Sequence, residues 1–296
     1  MIASQGSKTI ATPFTWAKRR HTIHALGQGL IYLTLTVLAA VFLVPVLWMV
    51  SQSLMAHQET MRTPIAYAPR VLQWSNYLKA LQVAPLGHYF LNTLIVVGAN
   101  VGGGTGSAML CAYGFARLRF PGRGALFAVV LSTMMLPSAV TMIPLYVLFR
   151  QLGWINTFYP LTVPAFFGGG AFSIFLLRQF VRTLPRDLDE AARMDGATYW
   201  DIFSRIIVPL CKPALAVVAV TLFLAQWNDY LGPLIYLDSP DKFTYALGLA
   251  SFQGPYDTGT ELLMAASTLF VIPIIVLFIF VQRYLIEGIV MTGLKG

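Results

Sequence analysis

The sequence predicts an all-α integral membrane protein with six transmembrane helices and with both termini in the cytoplasm. The first observation is the composition, since 57% of the 296 residues are hydrophobic and only 11% are charged, whereas soluble domains carry roughly 25% charged residues. The second is a series of uncharged runs, each near the length of about 20 residues that a bilayer crossing requires. The third is an uneven distribution of Lys and Arg among the connecting segments.

Six uncharged runs are predicted to be the transmembrane helices. They cover residues 30–50, 89–115, 124–149, 157–177, 206–228 and 262–282. The first run follows a basic leader and is too long for the apolar core of a cleavable signal peptide, so we expect it to remain in the membrane. Lys212 lies near one end of the fifth run, from which its long stem can reach the interface.

The orientation follows from the distribution of basic residues. If the N-terminus, the connections 115–124 and 177–206 and the C-terminus share one side, that side holds fifteen of the 20 Lys and Arg residues. Such an excess marks the cytoplasmic side of a membrane protein. Because topology accounts for the net charge of +8, no nucleic-acid partner is predicted.

The predicted organisation is a cytoplasmic N-terminal tail, residues 1–25, followed by one transmembrane domain, residues 26–296. The tail is expected to be loosely ordered to about residue 20. The external segments are 51–88, 150–156 and 229–261, and the last is expected to be a structured loop with a short helix. None of them is large enough for a soluble domain.

The glycine clusters do not indicate a nucleotide site. Residues 102–106 read Gly-Gly-Gly-Thr-Gly, but no Gly-Lys-Ser/Thr follows and the cluster lies inside a predicted span. Close helix packing explains small residues there. The second cluster, residues 168–170, is explained either by packing or by a local break that lines a cavity. The sequence alone leaves both explanations open.

No enzymatic chemistry is predicted. The spans contain no HExxH motif, no Ser/His/Asp set and no paired carboxylates, and Cys111 and Cys211 lack metal-ligand spacing. We therefore expect no catalytic residue and no metal or cofactor in this chain. A secondary transporter is disfavoured because no acidic residue or arginine lies in the middle of a span.

Four polar side chains in the spans are candidates for a translocation pathway. They are Asn92, Asn100, Gln226 and Asn228. Polar groups at membrane depth are unfavourable unless they are paired, and they often mark a functional site. An interhelical hydrogen bond is the other explanation of each, and it is the more common one.

The cytoplasmic connection between the fourth and fifth spans, residues 184–209, is called here the charged loop. It is predicted to form a helix, a glycine bend and a second helix. Pro185 suits a first helical turn, Gly196 suits a left-handed helix end, and Thr198 with Asp201 resembles a capping box. An amphipathic helix resting on lipid is the alternative, but such helices are usually basic on the polar face, whereas this loop contains five acidic residues.

The charged loop resembles the EAA loop of ABC importer permeases. Glu190-Ala191-Ala192 is followed after three residues by Gly196, and after nine more by residues 206–209, Ile-Ile-Val-Pro. The family pattern ends Ile-x-Leu-Pro, so Val208 is a mild departure. Further stretches, at residues 89–94, 112–122, 143–146, 227–229, 282–284 and 293–296, are similar to the smaller permease subunit of maltose-type and glycerol-phosphate-type importers.

The resemblance implies the type I ABC importer permease fold and a function in ATP-driven sugar uptake across a bacterial or archaeal cytoplasmic (inner) membrane. The residues that it implies for coupling to the ATPase are Glu190, Ala191, Ala192, Arg193, Met194, Asp195 and Gly196. The implied partners are a second homologous permease, two ATPase subunits that bind ATP and Mg, an extracytoplasmic solute-binding protein and the sugar itself. A permease for glycerol phosphate, an amino acid or a peptide is the alternative within this class.

Overall fold

The described part of the chain is helical, as the sequence predicts. The computed structural model describes residues 14–62, 67–253 and 259–293, with side chains for 27–62, 67–252 and 259–282, and it contains no strand in these ranges. The helices are α1 (Phe14–Ser53), α2 (His57–Thr60), α3 (Ser75–Val83), α4 (Leu86–Ala99), α5 (Thr105–Arg117), α6 (Arg123–Ser132), α7 (Ser138–Gln151), α8 (Tyr159–Thr162), α9 (Ala171–Thr183), α10 (Asp187–Met194), α11 (Tyr199–Asp201), α12 (Val208–Leu210), α13 (Lys212–Trp227), α14 (Leu231–Tyr236), α15 (Tyr245–Leu249) and α16 (Thr260–Gly293).

Four helical segments are long and apolar enough to cross a membrane individually. They are Gly27–Ser53, Leu86–Arg117, Tyr159–Thr183 and Thr260–Gln282, and they match the first, second, fourth and sixth predicted spans. Two further segments meet the same criteria only as bent pairs, Arg123–Met135 with Ser138–Gln151 and Tyr199–Leu210 with Lys212–Trp227. The described residues therefore contain four spans, or up to six if each bent pair is one crossing.

The third predicted span is not a continuous helix. Its two halves meet at an angle of 102°, where the backbone becomes extended at Leu136 and Pro137. Proline has no N–H to donate and disfavours helical geometry in the residue before it. These two effects end the first half of the span before Leu136. The second half, α7, begins at Ser138, directly after Pro137.

The glycines of the second and fourth spans meet each other. Gly168, Gly169 and Gly170 all have positive φ angles, of 110°, 60° and 88°, so they form a local break before α9. A Cβ added to Gly169 would lie 2.9 Å from Cα of Gly104, in the π-helical segment Asn100–Gly104. The local break and the close packing therefore occur together, and a cavity lined by the break stays a prediction.

The largest buried cluster surrounds the base of the charged loop. It joins side chains of α5 and α9 to the segment that follows α10, and it includes the fully buried Leu177, Ile202, Ile207 and Val218. A second cluster joins α3, α4 and α15 to the first turns of α16. The charged loop is thus connected by apolar packing to two of the spans rather than lying free beside them.

The segment after α13, which was predicted to be external, contains more helix than the sequence predicts. Helices α14 and α15 form there, with 3₁₀ turns at Pro240–Lys242 and Ala250–Gln253, and residues 254–258 lie outside the described part. At the other end of the chain, α1 begins at Phe14. The backbone from residue 14 to residue 20 is therefore helical where a loose tail was expected, and residues 1–13 lie outside the described part.

Candidate functional site

The charged loop forms the helix, bend and second helix that the sequence predicts. Helix α10 is followed by Gly196 with a φ angle of +81°. The N–H of Gly196 donates to the carbonyl of Arg193 at 3.0 Å, and the N–H of Ala197 donates to that of Ala192 at 2.9 Å. These two bonds close the helix end with a left-handed residue, a position at which glycine has no steric penalty.

The second helix of the loop begins with the predicted capping box. The N–H of Asp201 donates to the Thr198 hydroxyl, and the N–H of Thr198 donates to the Asp201 carboxylate, both at 3.2 Å. The role of Pro185 was predicted wrongly. Helix α10 begins two residues later, at Asp187, because the carbonyl of Arg186 accepts its first hydrogen bonds, from the N–H groups of Asp189 and Glu190.

The residues predicted to couple the chain to an ATPase form an exposed surface. Glu190, Ala191, Arg193, Asp195 and Gly196 are exposed and Ala192 is half-buried. Met194 is 88% exposed, which is unusual for a large apolar side chain outside lipid. We call this set, residues 190–196, the coupling surface. It exposes two acids, Glu190 and Asp195, one base, Arg193, and one large apolar side chain, Met194.

A buried ion pair holds α10 against the end of α5. The Nε atom of Arg117 lies 3.2 Å from Oδ2 of Asp189, and the two side chains are only 4% and 10% exposed. The Nη2 atom of Arg117 also donates to the carbonyl of Leu184 at 2.9 Å. Removing one partner of such a pair leaves an uncompensated buried charge. The pair therefore fixes the position of the coupling surface relative to the second span.

The sequence analysis did not find this pair. Asp189 was assigned to the first turn of a helix, where an acid favours the positive helix end. Arg117 lies in the stretch 112–122 that resembles the importer permeases, but nothing in the spacing connects it to Asp189. The sequence feature that could have indicated the pair is the position of Asp189, the third residue of α10, on a short helix that has to pack against the rest of the protein.

The link from the charged loop to the fifth span is not straight, in contrast to the prediction of one run over 206–228. The segment Tyr199–Leu210 meets Lys212–Trp227 at an angle of 76°. The break is at the buried Cys211, whose N–H bonds the carbonyls of Ile207 and Val208. Pro209 and Pro213 flank it and cannot donate backbone hydrogen bonds, which weakens the helix on both sides.

The four pathway candidates occupy two different environments. The amide of Asn92 donates to the carbonyls of Asp241 and Phe243, and that of Asn100 donates to the carbonyls of Val96 and Leu161. Both side chains are buried. Their amide groups join α4 to the segment around residues 241–243 and the π-helical segment Asn100–Gly104 to α8.

The second pair of candidates lies at the end of α13. Gln226 is half-buried there, and Asn228 is exposed and donates to the carbonyl of Leu224 at 2.8 Å. The helices that carry the two pairs are nevertheless neighbours, since the ring centres of Phe90 in α4 and Trp227 in α13 lie 5.9 Å apart. Among the described residues, no group of three His, Cys, Asp or Glu side chains is arranged to hold a metal ion.

Comparison with known proteins agrees with this arrangement. Residues 104–290 match the family model described as the binding-protein-dependent transport system inner membrane component. The chain is 32% identical over 278 residues to the arabinooligosaccharides transport system permease protein AraQ of Bacillus subtilis (strain 168), covering 93% of this chain and 97% of that protein. It is 32% identical over 257 residues to the diacetylchitobiose uptake system permease protein NgcG of Streptomyces coelicolor, covering 86% and 84%.

A solved structure shares the fold. It is a chain from the crystal structure of a bacterial ABC transporter involved in the import of the acidic polysaccharide alginate, with a TM-score of 0.75 and 23% sequence identity. The match covers 90% of this chain and 98% of that one. The family match spans more than half of the sequence and includes the whole charged loop. The chain therefore belongs to the binding-protein-dependent transport system inner membrane components, the permease subunits of ABC importers.

Proposed function

We propose that the chain is one of two permease subunits of an ATP-driven importer for a sugar or sugar derivative. It forms half of the translocation pathway and receives the movement of a cytoplasmic ATPase at the coupling surface. The observation that carries this proposal is the exposed, glycine-terminated helix α10, held by the buried Arg117–Asp189 pair against the end of a span. A helix held in this way transmits a displacement instead of absorbing it.

The proposed topology has six crossings with both termini in the cytoplasm. Four crossings are single helical segments, and the two bent pairs supply the others. The excess of Lys and Arg on the side that holds the charged loop supports this orientation. The protein is then a multi-pass protein of a bacterial or archaeal cytoplasmic membrane.

The sugar class is supported by the relatives. By their names, the two permeases compared above serve the transport of arabinooligosaccharides and the uptake of diacetylchitobiose. Both are sugar oligomers, and the similarity to each extends over most of both chains. The remaining components follow from the family: a second permease, two ATPase subunits and a solute-binding protein. On this proposal ATP and Mg are bound by the ATPase, and no cofactor is expected in this chain.

The test is transport in proteoliposomes that contain the assembled importer. We expect Gly196→Asp and Glu190→Lys to abolish ATP-driven sugar uptake while both variants still insert and assemble. Gly196→Asp forces a side chain into a left-handed conformation that costs roughly 1–2 kcal/mol, and Glu190→Lys reverses the charge on the coupling surface.

Two control variants separate coupling from general damage. Gly153 has a φ angle of +69° and open space around it, as Gly196 has, so Gly153→Asp imposes the same strain away from the coupling surface. Asp238→Lys reverses an exposed charge in the segment after α14. Uptake at the wild-type rate in both coupling variants would show that α10 does not couple the ATPase to transport.

A further inference from the structure

A polar cavity of about 290 Å³ lies beside helix α10. Four of its lining residues are arginines. Arg117 belongs to α5 and Arg119 follows that helix, whereas Arg186 directly precedes α10 and Arg193 belongs to it. The lining residues are Arg117, Leu118, Arg119, Arg186, Asp189, Glu190, Arg193 and Tyr199. We call this cavity the arginine pocket. It opens next to the coupling surface and shares Glu190 and Arg193 with it.

The positive charge of the arginine pocket is not balanced within the described residues. Arg117 is paired with Asp189, and the guanidinium of Arg193 lies 4.6 Å from the centre of the Tyr199 ring. Arg119 and Arg186 are exposed and form no ion pair with a described residue, and neither does Glu190. The pocket therefore presents free guanidinium groups beside one free carboxylate.

Two buried atoms at the base of the pocket also lack hydrogen bonds among the described residues. They are Nε of Arg117, which faces Asp189 without the alignment of a hydrogen bond, and Oδ1 of Asp189. Both atoms belong to the buried ion pair and are closed to solvent. The part of the pocket that is open to another molecule is therefore lined by the exposed Arg119, Arg186 and Glu190.

We propose that the arginine pocket receives an acidic side chain of the ATPase subunit, which enters between Arg119 and Arg186. This inference rests on the proposed function and gives it a second point of contact, distinct from Glu190. Guanidinium groups bind a carboxylate with two parallel, charge-assisted hydrogen bonds. An ATPase that covers the exposed Met194 and Glu190 also covers the mouth of the pocket, because these residues and Arg186 belong to one short helical segment.

The free carboxylate of Glu190 selects a protein over a simple anion. A phosphate ion or a phosphatidylglycerol headgroup carries charge of one sign, so Glu190 at the rim of the pocket would repel it. A protein surface can place an acidic side chain against the arginines and a basic one against Glu190, and such matched charges give an interface its specificity. The mixed signs of the arginine pocket thus favour a docked protein.

The experiment measures the Kd of the purified ATPase subunit for the permease pair in nanodiscs made of neutral lipid. Arg119→Glu and Arg186→Glu are each expected to raise Kd on the order of tenfold, and the double variant is expected to raise it further. Arg182→Glu is the matched control, because Arg182 is also exposed near the end of α9 but does not line the pocket. Its Kd is expected to stay at the wild-type value.

A charge exchange identifies the partner. Each Asp and Glu on the surface of the ATPase that faces the permease is replaced by Arg, one at a time. One of these ATPase variants is expected to bind the Arg186→Glu permease as the wild-type pair binds. Wild-type Kd in both pocket variants, or weakened binding that no exchange restores, overturns the proposal. So does unchanged Kd together with thermal stabilisation of the wild type, but not of the variants, by inorganic phosphate or by phosphatidylglycerol vesicles.

The outcome separates this inference from the proposed function. If Gly196→Asp abolishes uptake while the pocket variants bind the ATPase normally, the arginine pocket is not a docking site and the coupling surface still is. If Gly196→Asp and the pocket variants all behave as the wild type in uptake and in binding, both proposals fail.

Discussion

Asp189 illustrates how one residue type can serve two purposes in the same helix. Its neighbours Asp187 and Glu190 are exposed on α10, whereas Asp189 is 7% exposed and faces Arg117. Acids at all three positions favour the start of the helix, which is why the sequence pattern does not distinguish them. The structure separates the acid that binds inward from the acid that is available to a partner.

Replacing Asp189 with Ala is expected to release α10 from the end of α5. The change leaves Arg117 buried without its counter-charge, which typically costs about 3–5 kcal/mol. We expect a lower temperature of thermal unfolding and faster trypsin cleavage at the arginines of the charged loop. Both are measured on the purified permease pair, by tryptophan fluorescence and by gel.

Asp187→Ala is the control, because it removes an exposed acid from the same helix. The double variant Arg117→Leu/Asp189→Leu removes both charges and is expected to recover part of the lost stability, since no buried charge is then left unpaired. The recovery is incomplete because the Leu184 carbonyl loses its hydrogen bond from Arg117. Equal effects of Asp189→Ala and Asp187→Ala would contradict the role given to the ion pair.

The residues of the charged loop were predictable to different degrees. Gly196 and Thr198 were identified because their conformational and capping roles depend only on near neighbours in the chain. The pairing of Arg117 with Asp189 depends on how two distant segments pack, and a single sequence carries no information on that contact. Asn92 and Asn100 were identified as unusual, but their carbonyl partners were not identifiable for the same reason.

At the scale of helices, the existence of the spans was predictable and their shape was not. Length and apolarity are properties of one segment, so the runs at 30–50 and 262–282 match observed helices closely. The bends of 102° and 76° depend on which proline ends a helix and which is tolerated inside it. Pro45 and Pro273 lie inside helices, whereas Pro137 lies at a break, although the sequence pattern around each is similarly apolar.

The contact between the second and fourth spans gives a matched pair of glycine variants. Gly169→Ala is expected to lower the unfolding temperature more than Gly170→Ala does. Both glycines have positive φ angles, so both variants carry backbone strain, but only the Cβ at Gly169 would collide with the backbone of Gly104. Thermal unfolding in detergent measures the difference. Equal losses would show that these two spans do not depend on the close approach.

For the whole molecule, composition alone was enough to predict the class, because the hydrocarbon core of a bilayer imposes length and apolarity on any helix that crosses it. The side of the membrane on which each connection lies depends on whether each bent pair crosses the membrane or forms a re-entrant loop. The connections next to the bent pairs therefore give the sharpest test of the topology.

Cysteine labelling with a membrane-impermeant maleimide is expected to place the connections on alternate sides. In a background with Cys111→Ser and Cys211→Ser, we expect Phe120→Cys and Asp187→Cys to react only from the cytoplasm. Leu152→Cys and Asp238→Cys are expected to react only from outside. Reaction of Phe120→Cys and Leu152→Cys from the same side would show that the first bent pair is a re-entrant loop and that the chain has fewer than six crossings.

The 76° bend at Cys211 gives the segment Tyr199–Leu210 the geometry of a lever arm. At 1.5 Å per residue this arm is about 18 Å long, and it lies nearly at right angles to α13. A movement of about 2 Å at its Tyr199 end, directed along the axis of α13, would then tilt the arm by roughly 6° about Cys211. Because Ile202, Ile207 and Val218 share one buried cluster, arm and helix would tilt together, and under the proposed function a push at the coupling surface would become a torque on the segment Lys212–Trp227.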